Sequence, residues 1–392
     1  MNRQLPFTDQ VQRSGTSSAT DDSFLAAYYT RLFALADIVP NGSRPWDIII
    51  RDPRFYRRIL LQGSIGLGES YMEGWWDAPQ LDELFHRVLR ARLNEKVINL
   101  PRTTALLGAA LKNLQNIRRS KKVGEQHYDI GNDFYAAMLD PYMVYTCGYW
   151  REATDLNQAQ IDKLELVCQK LRLEPGMRVL DIGCGWGSFA RYAAEKYKAK
   201  VVGITISAEQ LELARKNCAE LGVEIRLQDY REIDETFDRV VSLGMFEHVG
   251  RKNYRTYMKC VARNLASDGL FLLHTIGLND QGTGIDPWVT KYIFPNSEIP
   301  ALTRVTEAFD NLFLLEDLHN FGTDYDKTLL AWFKNFDRNW HRFAAELPQT
   351  FYRMWKYYLL MFAGAFRARH LQLWQLVLSP RDTLGGYTRP LR

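Results

Sequence analysis

One segment, residues 179–187 (Val-Leu-Asp-Ile-Gly-Cys-Gly-Trp-Gly), constrains the fold of this chain more than any other. It follows the turn pair Pro175-Gly176, begins as a β-prone apolar run and ends with three glycines at alternate positions. Glycine permits a tight turn in which bare backbone approaches a ligand. From Ser188 onward, apolar residues recur at helical spacing. We therefore predict a buried strand, a glycine turn and a helix that together hold a nucleotide-like ligand.

The spacing of the glycines separates the candidate ligands. A dinucleotide fingerprint requires G-x-G-x-x-G, whereas this chain has G-x-G-x-G after Asp181. Asp-x-Gly-x-Gly-x-Gly resembles the first motif of the seven-stranded S-adenosylmethionine-dependent methyltransferases. The motif therefore favours S-adenosylmethionine; a nicotinamide or flavin cofactor and a purely structural turn are the alternatives.

Strand-like and helix-like segments alternate after residue 150, which favours a parallel α/β domain. Strands are predicted at 178–182, 200–204, 224–227, 237–243, 269–276 and 371–378. Helices are predicted at 134–139, 156–171, 188–197, 208–221, 254–265, 325–340 and 350–368. Together with the motif, this pattern predicts an α/β protein with a seven-stranded Rossmann-like methyltransferase fold and a smaller, mainly helical N-terminal domain.

The first third of the chain is predicted to be organised separately. We expect a disordered tail at 1–22, an N-terminal lipid-binding domain at 23–103, a basic linker helix at 104–124 and an S-adenosylmethionine-dependent catalytic domain at 125–392. Within the N-terminal part, amphipathic helices are predicted at 23–38 and 81–93, with a short strand at 46–51.

The segment Gly63–Trp76 interleaves glycines with Tyr71, Trp75 and Trp76. Two interpretations are open. The aromatic rings either pack tightly beside a helix end or form an apolar lip that meets acyl chains, since Trp and Tyr favour the membrane interface.

Positive charge is concentrated before residue 125. Residues 1–124 contain 18 Lys and Arg against 12 Asp and Glu, whereas the remainder contains 32 against 34. Eight of the basic residues fall within 91–122, with Glu95 as the one acid there. Such a block suits an anionic surface, either phospholipid or nucleic acid, and a solvated linker is the alternative. The apolar stripe of 104–118 predicts a helix that lies in a lipid interface or packs on its own domain.

Cysteine usage and hydropathy indicate the cellular compartment in which the protein is expected. Five scattered cysteines without a C-x-x-C pair predict a reduced protein with no disulfide framework or structural zinc. Residues 1–22 lack the apolar core of a signal peptide. The most apolar run, Tyr357–Phe366, is shorter than the roughly 20 residues that span a bilayer. We therefore expect a cytoplasmic protein that associates peripherally with the inner face of the membrane.

In this fold the ligand lies at the carboxyl ends of the strands, so residues there are the binding candidates. The first three strand ends supply Asp181, Gly183, Cys184 and Gly185, then Thr205 and Gln210, then Asp229 and Tyr230. The acid that usually binds the ribose after the second strand is missing. Thr205 and Gln210 are expected to bind the ribose uncharged, and Ser207 is expected to cap the next helix.

General-base candidates follow the next two strands. Glu247 and His248 come after the fourth strand, and His274 lies at the end of the fifth. Each alone is compatible with a structural role, but their convergence on one cleft favours catalysis. A metal site is the alternative. Because neither H-E-x-x-H nor a facial ligand spacing is present, we expect no metal.

Several segments together resemble the bacterial cyclopropane-fatty-acyl-phospholipid synthases. These segments are His127-Tyr128-Asp129, Tyr145-Thr146-Cys147, Asp181–Gly187, Gly203–Gln210, Gly244–Gly250, His274–Gly277 and Phe366-Arg367-Ala368-Arg369. The likeness begins at about residue 25 and includes the segment Gly66–Trp76. Mycolic acid cyclopropane synthases share only the catalytic half, so the N-terminal match favours the phospholipid family.

The resemblance implies that the methyl group of S-adenosylmethionine adds across a cis double bond of a phospholipid acyl chain, and that proton loss then closes a cyclopropane ring. It implies bound bicarbonate as the base, held at Cys147, Glu247, His274, Ile276 and Tyr325. Ile276 offers only its backbone N–H for this purpose. The positions matched to S-adenosylmethionine are Tyr145, Thr146, Gly183, Gly185, Thr205, Gln210 and Tyr230.

Two consequences follow for the site. An anion beside Glu247 requires either a carboxyl proton or compensating donors, and the sequence leaves this choice open. The aromatic segments 128–150 and 288–294 are expected to line a water-poor pocket that stabilises a carbocation by cation–π attraction.

The expected partners are an unsaturated phospholipid substrate and an anionic phospholipid bilayer, with no nucleic acid. A homodimer is compatible with the sequence, which does not fix the oligomeric state. One alternative is an S-adenosylmethionine-dependent methyltransferase that acts on another lipid or a small molecule without ring closure. Another is a non-enzymatic lipid- or nucleic-acid-binding protein that retains the fold.

Overall fold

The computed structural model describes residues 19–96, 131–280 and 285–390, with backbone alone at 19–22. The N-terminal part is mainly helical, with one small antiparallel pair of strands. Its elements are α1 (Ala19–Ala34), β1 (Ile49–Ile50), α2 (Arg54–Gln62), α3 (Ser64–Met72), β2 (Trp76–Asp77), α4 (Leu81–Arg90) and α5 (Leu93–Lys96).

The rest of the described chain is built on a seven-stranded sheet. Its strands are β3 (Arg178–Ile182), β4 (Lys200–Thr205), β5 (Val223–Leu227), β6 (Phe237–Leu243), β7 (Leu265–Leu278), β8 (Phe313–Asn320) and β9 (Leu371–Pro380). The order across the sheet is β5-β4-β3-β6-β7-β9-β8. β3 to β7 run parallel to one another, whereas β9 runs antiparallel to both β7 and β8. The predicted α/β fold with a seven-stranded sheet is confirmed.

Helices connect and cover these strands. They are α6 (Asn132–Met138), α7 (Leu156–Lys170), α8 (Ser188–Tyr197), α9 (Ala208–Asn217), α10 (Tyr254–Asn264), α11 (Pro287–Tyr292), α12 (Leu302–Phe309), α13 (Thr323–Asn339) and α14 (Gln349–Arg367). Because strand order reverses beside β3, the loops after β3 and β6 diverge and leave a crevice at the carboxyl edge of the sheet.

The N-terminal part and α14 share one hydrophobic core. Tyr71 and Trp76 are fully buried beside Tyr357 of α14. Arg353, also on α14, donates to the carbonyl oxygens of Tyr71 and Trp76 at 2.6 and 3.0 Å. Gly364 allows close approach, since a Cβ there would lie 2.5 Å from the carbonyl oxygen of Asp82. The helical N-terminal part is therefore packed firmly on the catalytic half.

This packing decides between the two interpretations of Gly63–Trp76. The first part of the segment is helix α3, and Tyr71 and Trp76 are buried in the shared core. A side chain at Gly68 would overlap the Trp288 ring. Trp75 is half-buried beneath Arg54 and Arg58. The tight-packing interpretation is confirmed, and the apolar lip is wrong for Tyr71 and Trp76.

Most predicted boundaries agree with the structure to within a few residues. The helix predicted at 23–38 spans Ala19–Ala34, the strand predicted at 46–51 is reduced to Ile49–Ile50, and the helix predicted at 208–221 ends at Asn217. Of the disordered tail predicted at 1–22, residues 19–22 belong to α1, so the prediction is wrong there, and residues 1–18 lie outside the described residues. The linker helix at 104–124 and the segment His127-Tyr128-Asp129 also lie outside them. The domain boundaries at 103 and 124 stay predictions.

Strand β8 was missed by the periodicity analysis. It lies at the edge of the sheet, exposes Leu314 and Leu315, and buries Asp317. Its register with β9 shifts between Leu315 and Asp317. A bulge of this kind breaks the period-two alternation from which strands are recognised.

Candidate functional site

A single cavity at the carboxyl edge of the sheet contains every residue predicted to bind S-adenosylmethionine. These ten residues are Tyr145, Thr146, Asp181, Gly183, Cys184, Gly185, Thr205, Gln210, Asp229 and Tyr230. They come from the segment before α7 and from the loops after β3, β4 and β5. The structure therefore brings together positions that are up to 85 residues apart in the chain.

The glycine turn after β3 forms the floor of this cavity. Gly183 and Gly185 have φ angles of +82° and +56°, which favour glycine. A Cβ at Gly183 would lie 2.7 Å from Met245 Cγ, whereas one at Gly185 would meet no atom within 4 Å. The N–H groups of Gly183 and Cys184 both donate to the Ile204 carbonyl oxygen at 3.0 Å. These two amides are therefore engaged within the protein.

The loop after β4 is uncharged and internally bonded. The Thr205 hydroxyl donates to Gln210 Oε1 at 2.9 Å, and Thr205 and Gln210 are both buried. The Ser207 hydroxyl accepts from the Gln210 N–H at 3.3 Å, so the predicted helix cap is confirmed. Two uncharged side chains thus stand where many related folds place an acid.

The loop after β5 holds its acid in place with a neighbouring cation. Arg231 donates to both carboxylate oxygens of Asp229 at 2.8 Å. The Tyr230 ring packs edge-on against Tyr257 at 5.1 Å. This fixes the Asp229 carboxylate and the Tyr230 ring in the wall where an adenine was expected.

A buried acid and a buried lysine face each other under the cavity. Burial raises the pKa of Asp181 to about 7 and lowers that of Lys163 to about 8, and their opposite charges oppose both shifts. Asp181 Oδ2 has no hydrogen-bond partner among the described residues. Lys163 donates to Thr146 Oγ1 at 3.0 Å. A buried carboxylate oxygen without a partner among the described residues and an aromatic wall suit a cationic nucleoside ligand such as S-adenosylmethionine.

Lys163 was missed by the sequence analysis, although a signal was present. Leu156, Ala159, Lys163 and Val167 follow the helical repeat of the buried face of α7. A lysine on such a face must find a polar partner, because an unpaired buried charge is costly. The same reasoning applies one heptad later to Lys170.

The five positions matched to bicarbonate lie behind the cavity wall. Glu247 and Ile276 are in direct contact, since the Ile276 N–H donates to Glu247 Oε1 at 2.6 Å. The resemblance implied that this N–H binds bicarbonate, whereas in the structure it donates to Glu247. Glu247 Oε2 is buried and unpartnered among the described residues. Burial raises the pKa of Glu247 to about 7, against the opposing effect of the Ile276 N–H.

His274 is held from behind by the next strand. Its Nδ1 lies 3.2 Å from Gln375 Nε2, while its Nε2 is buried and has no hydrogen-bond partner among the described residues. Burial lowers the pKa of His274 well below its usual value, and the charges of Lys163 and Lys170 add to this shift. The ring is therefore neutral.

Cys147 and Tyr325 complete this buried cluster. Cys147 Sγ lies 3.8 Å from Thr328 Oγ1, one turn along α13 from Tyr325. Burial raises the pKa of Tyr325 well above its usual value, and the nearby Tyr358, Cys147 and Glu247 add to the shift. The Tyr325 ring also stacks on Phe366 at 4.5 Å. The predicted positions converge, and both Tyr325 and Cys147 are un-ionised.

The cluster and the cavity share a wall. Thr146 lines the cavity and Cys147 lies in the cluster, and the Gly244 N–H donates to the His274 carbonyl oxygen at 2.9 Å. His248 lies in the cavity wall, where burial lowers its pKa to about 4. A methyl donor in the cavity therefore lies directly beside the buried polar cluster.

Each of the two aromatic segments contributes one ring to the cavity lining. Tyr145 and Phe294 line the cavity. Trp288 instead packs against Tyr357 at 4.5 Å, and the Tyr292 hydroxyl donates to Glu69 of α3 at 2.7 Å. The expectation of an aromatic pocket from 288–294 is wrong for these two residues, because they join the N-terminal part to the catalytic half.

Neither a metal-binding group nor a membrane-spanning helix is found among the described residues. The part of the chain that the structure describes contains no group of three or more His, Cys, Asp or Glu side chains placed to hold a metal ion. Within the same residues, no helix is both long enough and apolar enough to cross a bilayer.

Comparisons with known proteins agree with this geometry. The model of the mycolic acid cyclopropane synthetase family matches residues 115–376. The chain is 52% identical over 349 residues to the cyclopropane-fatty-acyl-phospholipid synthase of Escherichia coli, covering 89% of this chain and 91% of that protein. It is 33% identical to cyclopropane mycolic acid synthase 3 of Mycobacterium tuberculosis, covering 65% of this chain and 95% of that protein.

A solved structure extends the comparison to the fold. The crystal structure of a mycolic acid cyclopropane synthase complexed with SAH and CTAB has a TM-score of 0.61 and 31% identity to this chain, covering 66% of this chain and 97% of that one. The sheet order, the cavity and these likenesses agree. The chain therefore belongs to the cyclopropane synthase family of S-adenosylmethionine-dependent methyltransferases.

Proposed function

We propose that this protein converts cis double bonds of phospholipid acyl chains into cyclopropane rings, with bicarbonate bound in the buried cluster as the proton acceptor. The general activity, S-adenosylmethionine-dependent cyclopropanation of unsaturated lipids, follows from the family. The phospholipid substrate is supported by the extent of the likenesses. The family match begins at residue 115, and the Escherichia coli enzyme matches 89% of this chain, against 65% for the mycolic acid synthase.

Binding of the donor is assigned to the cavity. S-adenosylmethionine supplies an electrophilic methyl group on a sulfonium. The carbonyl oxygens of the glycine turn accept from its ammonium group, and Thr205 and Gln210 bind the ribose. The rings of Tyr145 and Phe294 line the same cavity and attract positive charge through their faces. An alkene is a weak nucleophile, so this positioning supplies much of the rate.

The proton-transfer part of this proposal is supported by the protonation states and the open polar atoms of two residues in the buried cluster. Glu247 has a raised pKa of about 7, His274 is neutral, and each has one unpartnered buried polar atom. A protonated Glu247 donates a hydrogen bond to an anion instead of repelling it. The raised pKa supports the carboxyl proton among the two alternatives that the sequence left open. Glu247 and His274 would hold bicarbonate there, and bicarbonate would supply the base for the proton that is lost when the ring closes.

Exclusion of water is the third contribution of this chain. A carbocation on the acyl chain survives only in an apolar, aromatic site. The Tyr145 ring packs against Tyr135 and Trp332 at 5.4 and 5.1 Å, and its hydroxyl lies 3.0 Å from that of Tyr358. These rings belong to α6, α13 and α14, so helices outside the sheet close the site.

Membrane association is assigned to the N-terminal part together with the basic stretch. Exposed apolar side chains of the N-terminal part include Phe24, Leu35 and Leu61. The stretch 91–122 carries eight basic residues. Apolar side chains and cationic charge together favour an anionic bilayer surface. Co-sedimentation with anionic vesicles that is lost in high salt is expected, and equal binding to neutral vesicles contradicts this part of the proposal.

The decisive experiment uses purified protein, S-adenosylmethionine and vesicles of cis-monounsaturated phospholipid. We expect acyl chains that gain the mass of one CH2 and co-elute with a cyclopropane standard. Vesicles of saturated phospholipid are the matched control and are expected to give no product. A branched, methylated chain without a ring, or methylation of a small molecule instead, contradicts the proposal.

Bicarbonate is tested separately. Product formation in buffer stripped of carbon dioxide is expected to fall and to recover when bicarbonate is added back, with the affinity for S-adenosylmethionine unchanged. Activity that is independent of bicarbonate contradicts this assignment while leaving the cyclopropanation itself intact.

A further inference from the structure

A buried polar chain runs behind His274, away from the reacting groups. Gln375 of β9 lies opposite His274 of β7 in the antiparallel register, with Gln375 Nε2 and His274 Nδ1 3.2 Å apart. On its other side, Gln375 Oε1 accepts from Lys170 Nζ at 2.8 Å. Gln375 and Lys170 are completely buried, and His274 is 1% exposed. Three elements, α7, β9 and β7, thus contribute one side chain each.

The chemistry of this chain of contacts fixes the orientation of the amide. A lysine ammonium has donors and no acceptor, so the atom of Gln375 that faces it is the oxygen. The cationic form of Lys170 is favoured by the Asp317 carboxylate, 3.6 Å from its Nζ. Lys170 Nζ also donates to His319 Nδ1 at 3.2 Å. The amide NH2 of Gln375 therefore faces His274.

The orientation of the amide then fixes the imidazole. An NH2 group donates, so His274 Nδ1 must accept, and a neutral ring that accepts at Nδ1 carries its proton on Nε2. That Nε2 is the buried atom without a hydrogen-bond partner among the described residues. The neutral state itself is consistent with the lowered pKa of His274.

We propose that Lys170 and Gln375 are positioning residues that hold His274 as the Nε2–H tautomer, so that His274 donates a hydrogen bond into the reaction site and does not take up the proton. This rests on the proposed function in one respect, the identity of bicarbonate as the anion that receives the hydrogen bond. The tautomer follows from the contacts alone. With Nδ1 engaged and Nε2 protonated, His274 has no lone pair for the proton that leaves the methyl group.

The first readout is spectroscopic and needs no activity. Full-length protein labelled with ¹⁵N-histidine is compared with Gln375→Glu and Lys170→Met variants, and the His274 signals are identified by their absence in His274→Asn. In the unaltered protein we expect a pyridine-type Nδ1 and a pyrrole-type Nε2. Glu at 375 only accepts, so the proton is expected to move to Nδ1. Met at 170 frees the amide to rotate, and a mixture of tautomers is expected.

A matched control is available on the same strand. Gln372 is also buried in β9, but it bonds to Asn320 and to the Arg369 carbonyl oxygen. Gln372→Glu introduces the same charge without touching His274, so the His274 signals are expected to stay unchanged. A pyrrole-type Nδ1 in the unaltered protein overturns the proposal, as does a His274 tautomer that is unaffected by Gln375→Glu in folded protein.

The second readout is the dependence of cyclopropane formation on bicarbonate. Gln375→Glu is expected to raise the half-saturating bicarbonate concentration about tenfold, in line with the loss of an orienting partner, while KM for S-adenosylmethionine changes less than about twofold. An equal change in both constants indicates a general structural defect and contradicts the positioning role. If the unaltered protein forms no cyclopropane product, the proposed function fails, and the nitrogen spectra still decide the tautomer.

Discussion

The donor cavity and the buried cluster behind it are built in opposite ways. The cavity is formed mostly by residues in loops that directly follow β3, β4 and β5, where Asp229 is paired with Arg231 and Thr205 with Gln210. The cluster draws its residues from separate strands and helices. It leaves Glu247 Oε2 and His274 Nε2 buried without hydrogen bonds among the described residues.

An unsatisfied buried polar atom costs about 1–3 kcal/mol. The cavity also has such atoms, Asp181 Oδ2 and His248 Nδ1, but there Asp229, Thr205 and Gln210 are bonded to their neighbours. In the cluster, the two ionisable groups Glu247 and His274 each keep one such atom. Variants in the two regions are therefore expected to differ in which quantity they change.

The largest expected effect is that of Glu247→Met. Met keeps the length of the side chain but neither accepts from the Ile276 N–H nor donates a hydrogen bond to an anion. Cyclopropane formation is expected to fall about 100-fold or more, with S-adenosylmethionine binding within about twofold of the unaltered protein. Product analysis and calorimetric titration measure the two quantities. A parallel loss of binding places Glu247 with the cavity and breaks the comparison.

Gly183→Ala tests the cavity by shape alone. Its φ of +82° disfavours alanine, and the added Cβ overlaps Met245. The affinity for S-adenosylmethionine is expected to fall about tenfold, equivalent to about 1.4 kcal/mol. Gly176→Ala is the matched control, since Gly176 has a φ of +86° and its Cβ would meet nothing within 4 Å. Both variants are expected to lose stability, but only Gly183→Ala is expected to lose affinity.

The pH dependence of stability tests the environment of Glu247. Its pKa in the folded protein is about 7, above the usual 4.5, so the protonated carboxyl stabilises the folded state relative to the unfolded one at low pH. This contribution is complete below about pH 4.5 and is lost as the pH rises to about 7. Urea unfolding is measured for the unaltered protein and for Glu247→Gln at pH 5.5 and pH 7.5. Relative to the variant, the unaltered protein is expected to lose about 1–2 kcal/mol of unfolding free energy between these two pH values. A constant difference contradicts the raised pKa.

The smallest expected effect is that of Thr205→Val in the loop after β4. Removing the hydroxyl breaks its bond to Gln210 and one of the proposed bonds to the ribose. KM for S-adenosylmethionine is expected to rise about three- to tenfold, with kcat unchanged. Thr306→Val, at an exposed hydroxyl on α12, is the control and is expected to change neither constant. A fall in kcat for Thr205→Val indicates that the cavity also orients the methyl group.

The glycine motif, the parallel strands and eight of the ten cavity residues were accessible from the sequence because each depends on a short stretch of chain. A β-prone run followed by G-x-G-x-G favours a turn, since only glycine adopts those φ angles cheaply. The family resemblance supplied Tyr145, Thr146 and the positions of the buried cluster. Periodicity failed at β8, where a bulge and two exposed leucines obscure the pattern.

What only the tertiary structure decided is which groups touch. The sequence cannot show that the Ile276 N–H is taken by Glu247, that Trp288 packs against Gly68, or that Lys170 reaches His274 through Gln375. These contacts join residues separated by 29 to more than 200 positions. Their partners, protonation states and tautomers are set by burial and by the register of β7 against β9. Local sequence therefore determined the backbone that holds the donor, and long-range packing determined the chemistry of the groups placed beside it.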